Sequence, residues 1–153
     1  MITTTGEYAL RAMAYMARLE QGKYVLAKDM GRELGIPPNY LSKVLQALTR
    51  QGLLESMRGR NGGFRMDREP AEIYLFEILA AVEPMRRYET CILGEKKCCD
   101  ETACPIHFTW KEARGKVLSM FQKTPLTMLI ENPGYTKTLK RAGAARKKEA
   151  APK

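Results

Sequence analysis

Residues 37–54 read Pro37-Pro38-Asn39-Tyr40-Leu41-Ser42-Lys43-Val44-Leu45-Gln46-Ala47-Leu48-Thr49-Arg50-Gln51-Gly52-Leu53-Leu54. Proline fits the first turn of a helix, where a missing N–H has no partner to lose, so Pro37-Pro38 marks a start. Leu41, Val44, Leu45 and Leu48 follow at i, i+3, i+4 and i+7, the apolar stripe of one helix. Asn39, Ser42, Lys43, Gln46 and Arg50 then share the opposite, exposed face, and Gly52 ends the helix.

Upstream, Leu26, Met30 and Leu34 recur at i, i+4 and i+8, and Gly35 suits the left-handed position after a helix. A short helix over 26–34 is predicted, with a tight turn to its successor. Earlier still, Thr4-x-x-Glu7 has the form of a capping box. The run from Tyr8 to Leu19 is apolar nearly all round, as in a helix buried on several sides, and Gly22 ends it. Downstream, Leu53–Met57 and Phe64–Met66 flank Arg58-Gly59-Arg60-Asn61-Gly62-Gly63, which predicts a hairpin around a Gly-rich turn. Pro70 reopens a helix over 71–83, bearing Ile73, Phe76, Leu79 or Ala80, and Glu83. Residues 84–104 read as irregular and hold all four cysteines. Pro105 starts a long helix over 105–122, in which Ile106, Trp110, Ala113, Val117 and Met120 are spaced 4, 3, 4, 3. That heptad seam asks for a partner helix. A helix of roughly 25 Å beside so small a domain packs most simply on its symmetry mate, although packing on its own domain is the plainer alternative. A short helix from Leu126 to Ile130 ends before Asn132-Pro133-Gly134. The fold class is mainly α with a small β-hairpin wing: a winged helix-turn-helix plus a long dimerisation helix.

The chain has 153 residues, 44% hydrophobic and 28% charged, values of an ordinary globular protein. No apolar run approaches the roughly 20 residues that span a bilayer, and Met1–Thr5 lacks the basic-then-apolar pattern of a secretory signal, so a cytoplasmic protein with no membrane partner is expected. Lys and Arg outnumber Asp and Glu by 26 to 17, which favours an anionic partner. The single histidine, His107, argues against enzymes built on several histidines; no Gly-rich phosphate loop, nucleophile–base pair or paired-carboxylate motif is recognisable. Residues 137–153 hold seven basic residues against one acid and few large apolar groups, so the tail is expected to be disordered. It either solubilises the chain or attracts phosphate non-specifically.

Helix, short helix–turn–helix, then hairpin is the order of a winged helix-turn-helix, whose second paired helix enters the DNA major groove. Asn39 can pair with adenine, Lys43 can reach guanine or phosphate, and Ser42 can do either. Tyr40 can donate to a phosphate or touch a thymine methyl. Over residues 37–68 six basic residues face two acids. The wing tip carries Arg58 and Arg60, suited to a narrow, strongly negative minor groove. The candidate DNA contacts are Pro38, Asn39, Tyr40, Ser42, Lys43 and Arg50 on the helix and Arg58, Gly59, Arg60 and Asn61 at the wing.

Cys91, Cys98, Cys99 and Cys104 lie within fourteen residues. In a cytoplasmic chain that density points to metal or redox chemistry rather than structural disulfides. The spacing is not that of a zinc ribbon. Its wide loops suit wrapping an iron–sulfur cluster; a dithiol switch at Cys98 and Cys99, or zinc, stands beside that reading.

The whole pattern resembles the IscR/NsrR family of bacterial winged-helix repressors, the Rrf-type regulators, from Met1 to about Pro133. The resemblance is carried by Glu7-Tyr8-Ala9-Leu10-Arg11-Ala12-Met13, by Tyr40-Leu41-Ser42-Lys43-Val44-Leu45 with Leu48, and by Gly52-Leu53-Leu54. The wing Arg58-Gly59-Arg60-Asn61-Gly62-Gly63-Phe64 and the run Cys104-Pro105-Ile106-His107-Phe108-Thr109-Trp110 add to it. It implies a homodimer on a pseudo-palindromic double-stranded operator, with one iron–sulfur cluster per subunit, [2Fe-2S] ahead of [4Fe-4S]. The implied ligands are Cys91, Cys98 and Cys104, with Cys99 a possible substitute for Cys98. The fourth is His107 or, from the partner subunit in some members, an acid at the position of Glu7. The organisation expected is a DNA-binding domain over 1–83, a cysteine loop over 84–104, a dimerisation helix and short terminal helix over 105–133, and a basic tail over 134–153. Function follows as an operator-binding regulator, in the sense of a repressor, whose grip responds to nitric oxide, redox or iron–sulfur status. Two rivals are a thiol-switch regulator without a cluster and a small iron–sulfur electron carrier.

Overall fold

The structure, a computed structural model, describes residues 2–88, 90, 91, 93 and 100–131. Cys98, Cys99 and the basic tail lie outside these residues. Among the described residues, six α-helices and one hairpin are ordered α1 (Thr4–Met16), α2 (Ala27–Leu34), α3 (Pro38–Arg50), β1 (Leu54–Met57), β2 (Gly63–Met66), α4 (Leu75–Val82), α5 (His107–Lys123) and α6 (Thr127–Ile130).

The predicted stripe of α3 is its buried face: Leu41, Val44, Leu45 and Leu48 are all inside. They meet Ala9, Ala12, Met13 and Met16 of α1, Met30 and Leu34 of α2, and Ile78 and Leu79 of α4. Burial of each Leu or Val contributes about 1.5–3 kcal/mol, so this one stripe is a large share of what holds the helices together. The turn after α2 closes as predicted, with Gly35 left-handed at φ 65° and its N–H on the Gly31 carbonyl.

Several boundaries differ from the sequence reading, each for a local reason. The N-cap of α1 is Thr3, whose Oγ1 accepts from the Gly6 N–H; no capping box forms from Thr4 and Glu7. Instead Glu7 reaches forward to Arg11 at 3.6 Å. The helix ends at Met16, well before Gly22, because the chain tightens into three-residue bonds from Arg18 to Tyr15 and Leu19 to Met16. Leu26 is exposed, so its periodicity with Met30 and Leu34 marks the start of α2 rather than its buried face.

The hairpin pairs antiparallel with Leu54 opposite Met66 and Met57 opposite Gly63. Val25 adds to it: its N–H donates to the Phe64 carbonyl and its carbonyl accepts from the Phe64 N–H, both at 2.9 Å. This close approach explains Gly63, which has φ 136° and would place a Cβ 2.4 Å from the Val25 oxygen.

Pro70 opens only a short 3₁₀ turn, Pro70–Glu72. Ile73 to Leu75 are then pulled into bonds with the far end of the chain. The Leu126 N–H donates to the Ile73 carbonyl, and the Leu75 N–H to the Thr124 carbonyl. The helix predicted over 71–83 therefore begins at Leu75, where Glu77 accepts from the Tyr74 N–H at 3.0 Å. Helix α5 packs on α4. Its Phe121 is buried and meets the ring of Tyr88 edge-on at 5.8 Å.

Candidate nucleic-acid interface and cysteine site

The exposed face of α3 and the wing share one groove. It is lined by Gln46, Thr49 and Arg50 of α3, Lys28 at the start of α2, and Met57, Arg58 and Gly59 of the hairpin. Asn39, Lys43 and Arg50 are exposed and Ser42 half-buried along that face. Arg58, Arg60 and Asn61 stand in solvent at the tip, in a turn closed by the Gly62 N–H on the Gly59 carbonyl at 3.0 Å.

Tertiary contacts sort the six basic residues of this region. Arg65 lies across the hairpin against Glu55, with Nε at 2.9 Å and Nη2 at 2.6 Å, while Tyr24 donates to the same carboxylate at 2.9 Å. The Arg65 hydrogen bond, then that of Tyr24, holds the Glu55 carboxyl below the usual carboxylate range. Arg68 is bound to Glu77 at 2.7 Å. Two of the six charges are thus neutralised. Lys43, Arg50, Arg58 and Arg60 form no ion pair among the described residues. The raw charge of 37–68 overstates the pull on phosphate, yet the four cations left lie on the helix face and the wing.

Tyr40 also makes contacts within the fold that its sequence position does not announce. Its ring stands edge-on to Tyr8 at 5.7 Å and its hydroxyl bonds to Thr5 Oγ1. These contacts tie the start of α3 to the start of α1, while Tyr40 stays 41% exposed. Arg11, buried, donates to the Leu34 carbonyl at 2.5 Å, so α1 also grips the end of α2. Neither bond has a sequence signal beyond the residue types, since the partners are 35 and 23 residues apart.

The cysteine segment hangs on the first turns of α5. The His107 N–H donates to the Cys104 carbonyl at 2.9 Å. The indole N–H of Trp110 donates to the Thr90 carbonyl, beside Cys91, at 3.0 Å. Both cysteines are free thiols and partly accessible. The His107 ring is buried and its Nε2 faces Asp100 Oδ1 at 2.8 Å. Lys111 also bonds Asp100, and with His107 it keeps that carboxyl below its ordinary range. Glu7 lies on α1 beside Arg11. Among the described residues no three of the Cys, His, Asp and Glu side chains converge as a metal site. The middle cysteine of the implied set lies outside those residues.

A family model described as Rrf2, iron-dependent transcriptional regulator, matches residues 2–132. The chain belongs to the Rrf2 family. NsrR of Geobacillus kaustophilus, an HTH-type transcriptional regulator, is 28% identical over 139 residues, covering 90% of this chain and 95% of that protein. IscR of Xenorhabdus nematophila is 28% identical over 131 residues, covering 86% and 79%. The oxidised form of Staphylococcus aureus CymR superposes with a TM-score of 0.69 at 26% identity, covering 86% of this chain and 97% of that one. This Rrf2 chain is a DNA-binding transcriptional regulator; its relatives are not enzymes, and an electron carrier does not fit the family. No helix of this Rrf2 protein, among the described residues, is long and apolar enough to cross a membrane.

Proposed function

We propose that two copies of this chain, in the cytoplasm, bind a pseudo-palindromic operator and that the cysteine segment at the root of α5 controls the binding. The observation that carries the reading is the groove shared by α3, the start of α2 and the wing, lined by Arg50 and Arg58, with Lys43 exposed on α3 and Arg60 at the wing tip and no ion pair on any of the four among the described residues. Asn39 and Ser42 face base edges at the start of α3, Lys43 reaches guanine or phosphate, and Pro38 sets the helix entry. Arg58 and Arg60, spaced by Gly59 and followed by Asn61, enter the adjoining minor groove. Tyr40 braces α3 against α1. The two-fold axis runs along α5, where Ile106 is 44% and Met120 51% exposed and Ala113 is exposed too.

The residues present fit an iron–sulfur group, [2Fe-2S] ahead of [4Fe-4S]. Cys91 and Cys104 are free, accessible thiols anchored to one helix end, on either side of a stretch that carries Cys98 and Cys99. Thiolates are the ligands such groups take. Cys91, Cys104 and Cys98 (or Cys99) would hold it, with His107, or Glu7 of the partner subunit, as the fourth ligand. The group supplies a link between those thiolates that nitric oxide, oxidation or iron loss removes. Cys91 and Cys104, drawn to one centre, fix the chain between α4 and α5 and with it the separation of the two α3 helices. That separation must match the groove repeat of about 34 Å. A second reading, a thiol switch without a cluster, is favoured by the same two free thiols, Cys91 and Cys104, at one helix end.

The test is operator affinity of anaerobically reconstituted and apo protein at one salt concentration, with the visible spectrum of each. A difference of tenfold, about 1.4 kcal/mol, together with thiolate-to-iron charge-transfer bands supports cluster control. Bands with equal affinities refute the coupling. No bands, with affinity that changes on oxidation, selects the thiol switch.

A further inference from the structure

We propose that Trp110 is a positioning residue: its indole N–H clamps the Thr90 carbonyl and so holds the Cys91 thiol at the end of α5 where Cys104 is anchored. This deepens the reading of the cysteine segment given above and rests on it for its link to regulation.

The two cysteines reach that helix end by different means. Cys104 is held by the main chain, through the His107 N–H on its carbonyl, which any residue at 107 other than proline can supply. Cys91 comes shortly after the 3₁₀ turn Met85–Tyr88, which follows α4. Tyr88 is buried against Phe121, near the far end of α5. Two residues later Thr90 meets Trp110, near the beginning of the same helix. Trp110 and Phe121 are eleven residues apart, about three turns, so both project from one side of α5. The chain entering Cys91 is thereby fastened to α5 at Tyr88 and again at Thr90. Tyr88 meets Phe121 ring to ring, whereas the indole N–H has one donor direction and fixes the Thr90 carbonyl in angle as well as distance.

The seam reading gave Trp110 to a partner helix. In the structure its one polar atom turns back onto its own chain, and the ring is half-buried. Tryptophan combines a wide apolar body with a donor at its edge, which phenylalanine at the same place lacks.

The experiment uses the full-length apo protein and reads the alkylation rate of each thiol by iodoacetamide and peptide mass spectrometry. The variants are Trp110→Phe and, as a control on the same turn, Phe108→Leu, whose ring is 64% exposed. A hydrogen bond of ordinary net strength corresponds to a roughly 2- to 13-fold change in the open population. Trp110→Phe is expected to raise the Cys91 rate by that factor and leave Cys104 unchanged; Phe108→Leu leaves both unchanged. Since the chain has one tryptophan, biosynthetic replacement by its benzothienyl analogue removes this N–H with the ring shape kept, and the same result is expected. An unchanged Cys91 rate in the analogue protein, or equal acceleration of both thiols, overturns the clamp. Reconstitution is scored separately: the variant should release iron to a chelator several-fold faster than wild type. If wild type takes up no iron, cluster control has failed, while the alkylation result still decides the clamp.

Discussion

Arg58 and Arg60 carry charges that no described acid neutralises, whereas Arg65 and Arg68 are tied to Glu55 and Glu77. The two pairs of arginines should therefore behave differently on DNA. Arg58→Ala and Arg60→Ala are each expected to weaken operator binding and reduce the salt slope of the affinity by about 1, measured by anisotropy over a salt titration. Arg65→Ala should leave that slope unchanged and lower stability instead. Asn39→Ala is expected to cost about 1–3 kcal/mol on the cognate site and less on a scrambled one, because a lost base contact affects only the matching sequence. Glu55 gives a pH test. Its carboxyl is held below the ordinary range when folded, so its ionised form adds stability at neutral pH. That contribution fades as pH falls from the ordinary carboxylate range through the folded value. Urea midpoints of wild type should drop more steeply on acidification than those of Glu55→Gln; parallel curves would count against the Arg65–Glu55 pair as a stabilising contact.

At the scale of elements, α3 and the hairpin obey different controls. Helix α3 is specified by its own periodicity, and its stripe is fully buried. Leu45→Ala is expected to cost about 2–5 kcal/mol in urea unfolding, since Leu45 is fully buried and its removal leaves a cavity in the core. The hairpin depends on Val25, far off in sequence, which lies across β2 at Gly63 and Phe64. Gly63→Ala forces a Cβ against the Val25 oxygen and an unfavourable backbone angle, and should cost about 1–3 kcal/mol. Gly52→Ala, also at positive φ (69°) but with nothing within 4 Å, should cost about 1 kcal/mol, the smaller of the two penalties because it lacks the clash and lies in the left-handed α region. Helix α4 illustrates the same lesson. Pro70 and the apolar spacing of 73–83 are helical signals, yet Ile73 and Leu75 bond to Thr124 and Leu126, and that pairing delays the helix start.

For the whole molecule, α5 joins the cysteine segment at its first turn to α4 of the helical core. Its buried residues are His107 and Phe121, while much of the heptad seam stays accessible. The helix packs on α4 and Tyr88 and leaves Ile106, Ala113 and Met120 outward, where the proposed two-fold contact would form. Ile106→Glu with Met120→Glu is expected to halve the mass found by light scattering and to lower affinity for a full operator by at least about tenfold, with little change on a half-site. An unaltered mass would place the two-fold axis elsewhere.

Read alone, the sequence determined the order of elements, the buried face of α3, the Gly-rich basic wing and the presence of a dense cysteine segment. Each is written in spacings of a few residues, and local periodicity and turn chemistry act over that range. Only the tertiary structure decided which cations stay free, that Tyr40 braces α1, that Val25 joins the hairpin, and that Trp110 holds the chain beside Cys91. Those contacts join residues tens of positions apart. Their partners are chosen by how packed elements bring side chains together, and no pattern within either segment records the choice.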